Sequence, residues 1–173
     1  MKKGEFGEKA GIAPWTIMQS TLTTDALFSG QSDYTLDDKC RLTVQRDWRM
    51  EGVEGVEGET LHLVPDSRGT CLRVMRPDRF VQFGEEAREQ PGMDAKKHRL
   101  FMRNFFSNST AVTMDKQGRV MIPADYCTRL KLKGSVRVLG CGDLFEVWNK
   151  KMFEEHHAEE QVEYNHYADA LGL

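Results

Sequence analysis

The segment YTLDDKCRLTVQRDW, residues 34–48, recurs as VTMDKQGRVMIPADY at residues 112–126, and the two align without a gap at an offset of 78. Identical residues fall at Thr35 and Thr113, Asp37 and Asp115, Arg41 and Arg119, and Asp47 and Asp125. Between them apolar meets apolar: Leu36 with Met114, Leu42 with Val120, Val44 with Ile122, Trp48 with Tyr126. Each copy therefore predicts a strand, a tight polar turn carrying Asp-x-x-x-Arg, a second strand and a short helix. A second echo sets CLRVMRPDRF (71–80) against LFEVWNKKMF (144–153), pairing Val74 with Val147, Met75 with Trp148 and Phe80 with Phe153 at an offset of 73. The extra residues of the first copy fall in EGVEGVEGE (51–59), a Gly and Glu stretch that cannot fill a core and predicts a loop.

The chain of 173 residues is thus a tandem duplication. Halves this small bury little surface alone, so fusion into one barrel or assembly into a ring would supply the missing core. The expected organisation is a flexible extension over 1–26, a first repeat over 27–90, a connecting basic helix over 91–110, a second repeat over 111–155 and an acidic helical tail over 156–173.

Within that frame, LHLV (61–64) and CLRVM (71–75) predict a hairpin across PDSRG, whose residues are turn formers. Pro77-Asp78 opens a helix that Pro91-Gly92 interrupts, and a second helix runs from about Met93 to Phe106. His98, Phe101, Met102, Phe105 and Phe106 share one face of it, while Lys96, Lys97, Arg99 and Arg103 form a basic face that is either solvated or follows a phosphate backbone. SVRVLG and LFEVWN predict the last hairpin, and Asn149 is the expected cap of a closing helix docked by Met152, Phe153 and Tyr164.

Composition narrows the function. No apolar run approaches the ~18 residues of a membrane span, and the amino terminus lacks the roughly 7–15-residue apolar core of a secretory signal. Cysteines at 40, 71, 127 and 141 show no C-x-x-C spacing, which fits reduced thiols in a cytoplasm. His156, His157 and His166 sit among acids with no metal-binding pattern, so no metal site is expected. The net charge of −3 divides into zero over 1–26, −5 over 151–173 and +2 over the body, 27–150. A mildly basic body and an acidic tail result.

An enzyme needs a nucleophile with its base, paired carboxylates, a phosphate cradle or a metal cluster, and none of these patterns is visible. No catalytic residue, cofactor or small-molecule substrate is therefore expected. The chemistry lies in the turns. A carboxylate four residues before an arginine matches the planar guanidinium fork, so Asp37 and Asp115 orient Arg41 and Arg119 or close the turns as structural ion pairs. A guanidinium held at a strand tip beside Lys39 or Lys116 is suited to enter a DNA groove or clamp a phosphate.

The two L/M-D-x-x-x-R turns, GRVMIP (118–123), the ending LFEVW and Phe28-Ser29-Gly30 resemble the MraZ family of bacterial transcriptional regulators, within the wider AbrB and SpoVT swapped-hairpin proteins, over roughly residues 27–160. The resemblance implies an α+β fold, a tandem-duplicated AbrB-like swapped-hairpin β-barrel with short flanking helices. It further implies a ring-shaped homo-oligomer, cytoplasmic and nucleoid-associated, that binds double-stranded DNA at repeated boxes upstream of a division and cell-wall gene cluster. By position, Lys39, Arg41, Lys116 and Arg119 become the expected DNA contacts, with Asp37 and Asp115 as their turn-orienting partners. The alternative is an AbrB-like or antitoxin-like module whose partner is a protein docked on the acidic helix. Cys40 stands where the family has Gly and Gln45 where it has Pro, so the first turn is expected to be reshaped and the second to be the better DNA contact.

Overall fold

Both copies of the repeated segment form strand, polar turn and strand in a computed structural model that describes residues 27–49 and 58–173, and the short helix expected in each is a single 3-10 turn in the first and an α-helix in the second. The extension expected over 1–26 and most of the Gly and Glu stretch lie outside the described residues. In the first copy, β1 (Gln31–Thr35) leads through the polar turn to β2 (Arg41–Thr43) and a single 3-10 turn at Arg46–Trp48. There follow the hairpin β3 (Thr60–Pro65) and β4 (Cys71–Met75), then helices α1 (Pro77–Glu89) and α2 (Ala95–Ser107). The second copy repeats the scheme as β5 (Thr110–Thr113), β6 (Arg119–Met121), α3 (Ala124–Arg129), β7 (Ser135–Gly140), β8 (Leu144–Asn149) and α4 (Lys150–Leu171).

The copies do not fold side by side. β1 pairs with β7 of the second copy, and β5 pairs with β3 of the first, so each leading strand is exchanged onto the other copy's hairpin. The resulting antiparallel sheet has the order β1-β7-β8-β4-β3-β5, and β2 pairs with β6 as a separate ribbon. Reversing the order and swapping the copies returns the same sheet, which is the signature of a pseudo-twofold axis. That axis passes between β4 and β8, where the equivalent residues Arg73 and Glu146 face each other at 3.3 Å, and through the ribbon, where Leu42 faces Val120.

Strand alternation assigns the layers. Leu61, Leu63, Leu72, Val74, Val136, Val138, Phe145 and Val147 point to one face, where they form the main core with Leu42 and Val120 of the ribbon. The opposite face carries Val64, Met75 and Leu144 beneath Phe80 of α1, and Cys71 and Trp148 beneath Phe153 of α4. Among the described residues the sheet does not close into a barrel: β1 and β5 remain its edges. The reason is local. β2 and β6 are three residues long and use their hydrogen bonds on each other, so they cap the sheet as a second layer and leave its edge strands unjoined.

The predicted cap of the closing helix acts as expected, and α2 has a cap of its own at Asp94. Asn149 Oδ1 accepts the Met152 N–H at 3.1 Å, and Asp94 Oδ1 accepts from Lys96 and Lys97 at 2.9 Å each. Their docking differs from expectation. No residue of α2 is fully buried, and Phe106 is 41% exposed. In α4, Phe153 is buried but Tyr164 is 58% exposed, because the sheet ends beneath the helix's first turns. Among the described residues no helix is long and apolar enough to cross a membrane.

Candidate nucleic-acid interface

The two Asp-x-x-x-Arg turns are built alike, atom for atom. Asp37 Oδ1 accepts the N–H groups of Lys39 (2.9 Å) and Arg41 (3.0 Å), its carbonyl accepts the Cys40 N–H (2.9 Å), and its Oδ2 takes Arg41 Nε at 2.5 Å. Asp115 Oδ1 accepts from Gln117 (2.9 Å) and Arg119 (3.0 Å), its carbonyl accepts the Gly118 N–H (2.8 Å), and its Oδ2 takes Arg119 Nε at 2.9 Å. One carboxylate thus shapes the turn and braces the guanidinium, in the second turn through Arg119 Nη2 (2.8 Å) as well as Nε. These bonds hold both carboxyls below the usual range: for Asp37 chiefly the Arg41 backbone N–H, for Asp115 chiefly the Arg119 side chain.

The expectation of a reshaped first turn is corrected. Cys40 adopts a left-handed conformation (φ 56°) where Gly118 has φ 77°, and the hydrogen-bond pattern around it is unchanged. Gln45 (φ −56°, ψ 143°) likewise follows the backbone of Pro123 (φ −53°, ψ 139°). The Asp cage holds the turn strongly enough to keep a β-carbon in αL, at a strain on the order of 1 kcal/mol.

The ribbon sets what the turns present. Leu42 and Val120 point into the core, so their neighbours Arg41, Thr43, Arg119 and Met121 share the outward face by strand alternation. Arg41 lies opposite Met121 and Arg119 opposite Thr43, which puts the two arginine Cα atoms ~8 Å apart on a diagonal by strand geometry. Met121 between them is 57% exposed. Lys39 and Lys116 are exposed at opposite ends of the ribbon. All six residues singled out from the sequence (Asp37, Lys39, Arg41, Asp115, Lys116, Arg119) therefore belong to one small two-stranded surface. Within each turn the charges differ: Asp37, Asp38, Lys39 and Arg41 sum to zero, whereas Asp115, Lys116 and Arg119 leave one net positive charge.

One cation was missed. Arg49 donates Nε (3.0 Å) and Nη2 (2.7 Å) to the Val44 carbonyl and lies against Gly118, where a β-carbon would run into its guanidinium. Its repeat equivalent is Cys127, so no shared residue type drew attention to it.

Other features singled out from the sequence lie elsewhere. The basic residues of α2 are exposed, but this helix packs through Phe105 on the sheet face opposite the ribbon. That face also holds an open cleft of about 550 Å³ between the β3–β4 hairpin and α2, lined by Val64, Met75, Phe83, Phe101 and Phe105. His157 stacks on Phe153 at 4.7 Å and His156 lies 6.2 Å from Trp148, ring to ring. Among the described residues no group of three His, Cys, Asp or Glu is placed to hold a metal.

A family model described as "MraZ protein, putative antitoxin-like" matches residues 105–171, which include the whole second copy. The Transcriptional regulator MraZ of Moorella thermoacetica is 29% identical over 146 residues, covering 84% of this chain and 96% of that protein. The Transcriptional regulator MraZ of Kocuria rhizophila is 28% identical over 139 residues, 80% of this chain and 92% of that one. That of Treponema denticola is 26% identical over 151 residues, with 83% and 96% covered. Near-complete coverage of relatives that share one name, together with the family model on the second copy, supports an MraZ family regulator.

Proposed function

We propose that this chain is a sequence-specific DNA-binding transcriptional regulator whose contact surface is the β2–β6 ribbon. The observation that carries the reading is the pair of Asp-braced guanidiniums, Arg41 and Arg119, on one outward face of a two-stranded ribbon. A B-DNA major groove, roughly 12 Å wide, admits a two-stranded ribbon, and an arginine presented edge-on is matched to the O6 and N7 acceptors of guanine. Lys39 and Lys116, exposed at the ribbon ends, are the phosphate contacts that fix its register.

The exchanged leading strands are our basis for assigning the AbrB-like swapped-hairpin arrangement. A ring-shaped homo-oligomer in the nucleoid, reading repeated boxes upstream of a division and cell-wall gene cluster, completes the proposal. One subunit offers few cations, so its single-site binding is weak, and a ring engaging several boxes multiplies it by raising the effective concentration of each further contact. Regulation as a non-enzyme follows from the same reading.

Fluorescence anisotropy against DNA from upstream of the gene, beside a scrambled duplex and over a salt series, tests it. Preference for the native duplex with a steep loss in salt is expected. Arg119→Ala is expected to abolish binding with the oligomer intact. Arg41→Ala has the smaller effect, because the first turn carries no net positive charge. Unchanged affinity in Arg119→Ala refutes the assignment.

A second reading has one observation in its favour. The stripe of α4 that buries Phe153 continues as Tyr164 (58% exposed), Tyr167 (59%) and Leu171 (77%) with acidic neighbours, as a docking helix for a protein partner would. Absence of binding to either duplex at low salt selects it.

A further inference from the structure

The place of the first turn's glycine is taken by Cys40, and the side chain that faces it from the other repeat is also a cysteine. At the repeat offset Cys40 corresponds to Gly118 and Cys127 to Arg49. The side chain of residue 49 lies so directly over residue 118 that a β-carbon there would collide with it. Across the pseudo-twofold axis the same relation sets Cys127 over residue 40. The backbone repeats it: the Val44 N–H donates to the Gly118 carbonyl and the Ile122 N–H to the Cys40 carbonyl, each at 2.9 Å. Cys40 packs on the main core that contains Cys127, and its thiol is among the neighbours that raise the Cys127 thiol.

Their surroundings differ. Cys40 is half-buried in a turn at the surface, whereas Cys127 is 8% exposed beneath it. Burial first, and then the neighbouring Cys40 thiol, push the Cys127 thiol up to about 12. Cys71 belongs to the opposite sheet face, with Trp148 and Phe153, and Cys141 is exposed at the β7–β8 turn.

We propose that Cys40 and Cys127 form a modification site, a dithiol that hydroperoxides oxidise to an intramolecular disulfide joining the two repeats at the base of the ribbon. Cys40 is the sulfur attacked. Its sulfur takes the terminal oxygen of the hydroperoxide, so an S–O bond forms as the O–O bond breaks and the corresponding alcohol, or water from hydrogen peroxide itself, leaves. The Cys127 sulfur then attacks the Cys40 sulfur: the S–S bond forms, the S–O bond breaks, and water departs with the Cys127 proton. Two thiols have lost two protons and two electrons, and the peroxide has been reduced by two electrons. The bond ties the turn that carries Arg41 to α3 of the other repeat, so turn and ribbon no longer relax independently.

The covalent step stands apart from the DNA-binding reading; its effect on affinity rests on that reading. The test uses the full chain with Cys141→Ser, which removes the exposed thiol that would link separate molecules. After treatment with hydrogen peroxide, denaturing alkylation and mass spectrometry should show the loss of two hydrogens, a linked peptide pair holding Cys40 and Cys127, and reversal by dithiothreitol. Cys127→Ser should instead leave Cys40 as a sulfenic acid that dimedone captures. Three alkylatable thiols after treatment (Cys40, Cys71 and Cys127), where the linked protein keeps only that of Cys71, or Cys40 carried to sulfinic acid without the link, overturns the proposal, as does a Cys127→Ser protein that takes no dimedone. With the link formed, DNA affinity should fall several-fold and return on reduction. Equal affinity of both forms overturns the control of the ribbon while the mass result stands on its own.

Discussion

Replacing Gly118 by alanine asks whether the second turn depends on glycine for its backbone, for its space, or for both. Gly118 has φ 77°, and the left-handed region costs a β-carbon roughly 1–2 kcal/mol. Stiffening of the unfolded chain returns about 0.4–1 kcal/mol of that. The new methyl also falls on the Arg49 guanidinium, which must leave the Val44 carbonyl and give up hydrogen bonds of 3.0 and 2.7 Å. Charged donors of this kind contribute on the order of 1.5–3 kcal/mol, with the low end appropriate for a half-exposed side chain. The sum is a destabilisation of about 2–3 kcal/mol, or a fall of roughly 5–10 °C in Tm for a chain of this length. Urea and thermal denaturation of the parent, Gly118→Ala, Arg49→Ala and the double variant close the cycle. With Arg49 already removed, only the backbone strain remains, so the second substitution should cost about 1 kcal/mol and the coupling should be roughly 1–2 kcal/mol. A Gly118→Ala protein as stable as the parent, or one whose loss is the same in the Arg49→Ala background, refutes the reasoning.

Three further outcomes follow from the fold. Glu146→Arg sets like charges across the pseudo-twofold axis against Arg73 and removes the acceptor of the Trp148 Nε1–H (2.9 Å), and should cost about 1–2 kcal/mol in urea unfolding. Phe153→Ala empties the aromatic seat of α4 against Trp148 and should cost about 3–5 kcal/mol, whereas Tyr164→Ser, 58% exposed, should change stability by less than about 0.5 kcal/mol. The acid limb can be traced to Asp66: burial opposes its ionisation, yet the N–H groups of Cys71 (3.1 Å), Thr70 (2.6 Å) and Arg68 (3.1 Å) hold its carboxyl below the usual range. Because the folded value lies below the unfolded one near 4, its contribution is complete above that value and is lost as the pH falls through the lower folded value. Urea midpoints between pH 7 and pH 3 should therefore decline more gently in Asp66→Asn, from a lower starting stability.

What the sequence made legible is what each short segment decides for itself. The alternation of Leu61, Leu63, Leu72 and Val74 announces strands with one apolar face, and Pro77 and Asn149 announce where helices begin. The candidate site was equally readable, since both halves of the Asp-x-x-x-Arg cage lie within five residues of chain and the carboxylate finds its donors locally. Pairing partners were not. The pattern of β1 states that one face is buried, but nothing local states that its neighbour is β7 of the other copy instead of β3 of its own. The expected docking role of Tyr164 failed for a related reason: helical spacing identifies a stripe, whereas the length of the sheet beneath it decides how much of the stripe is covered. Arg49 escaped notice because its significance is a contact with Gly118, sixty-nine residues away in sequence.

The deviations between the copies have a common physical logic. In a dimer of identical halves, residues on the twofold axis meet themselves, so an arginine at position 73 would face an arginine and the pair would repel. Fusion removes the constraint, and Arg73 meets Glu146 as an opposite charge at the centre of the sheet. The same freedom operates one layer away, beside the ribbon. Gly118 leaves room for the long side chain of Arg49, while Cys40 fills its own turn and is met by the short side chain of Cys127. Each turn keeps its backbone because the change within it is matched by a change in the residue that covers it, and that residue belongs to the other repeat or to its flank. The two turns are thus able to differ in charge and in chemistry while presenting Arg41 and Arg119 in the same manner. A chain exchanging Cys127 for Arg, with Cys40 retained, breaks that match in the first turn alone; loss of stability there, and its recovery on adding Cys40→Gly, is the result this argument requires, measured by urea unfolding of the two variants beside the parent.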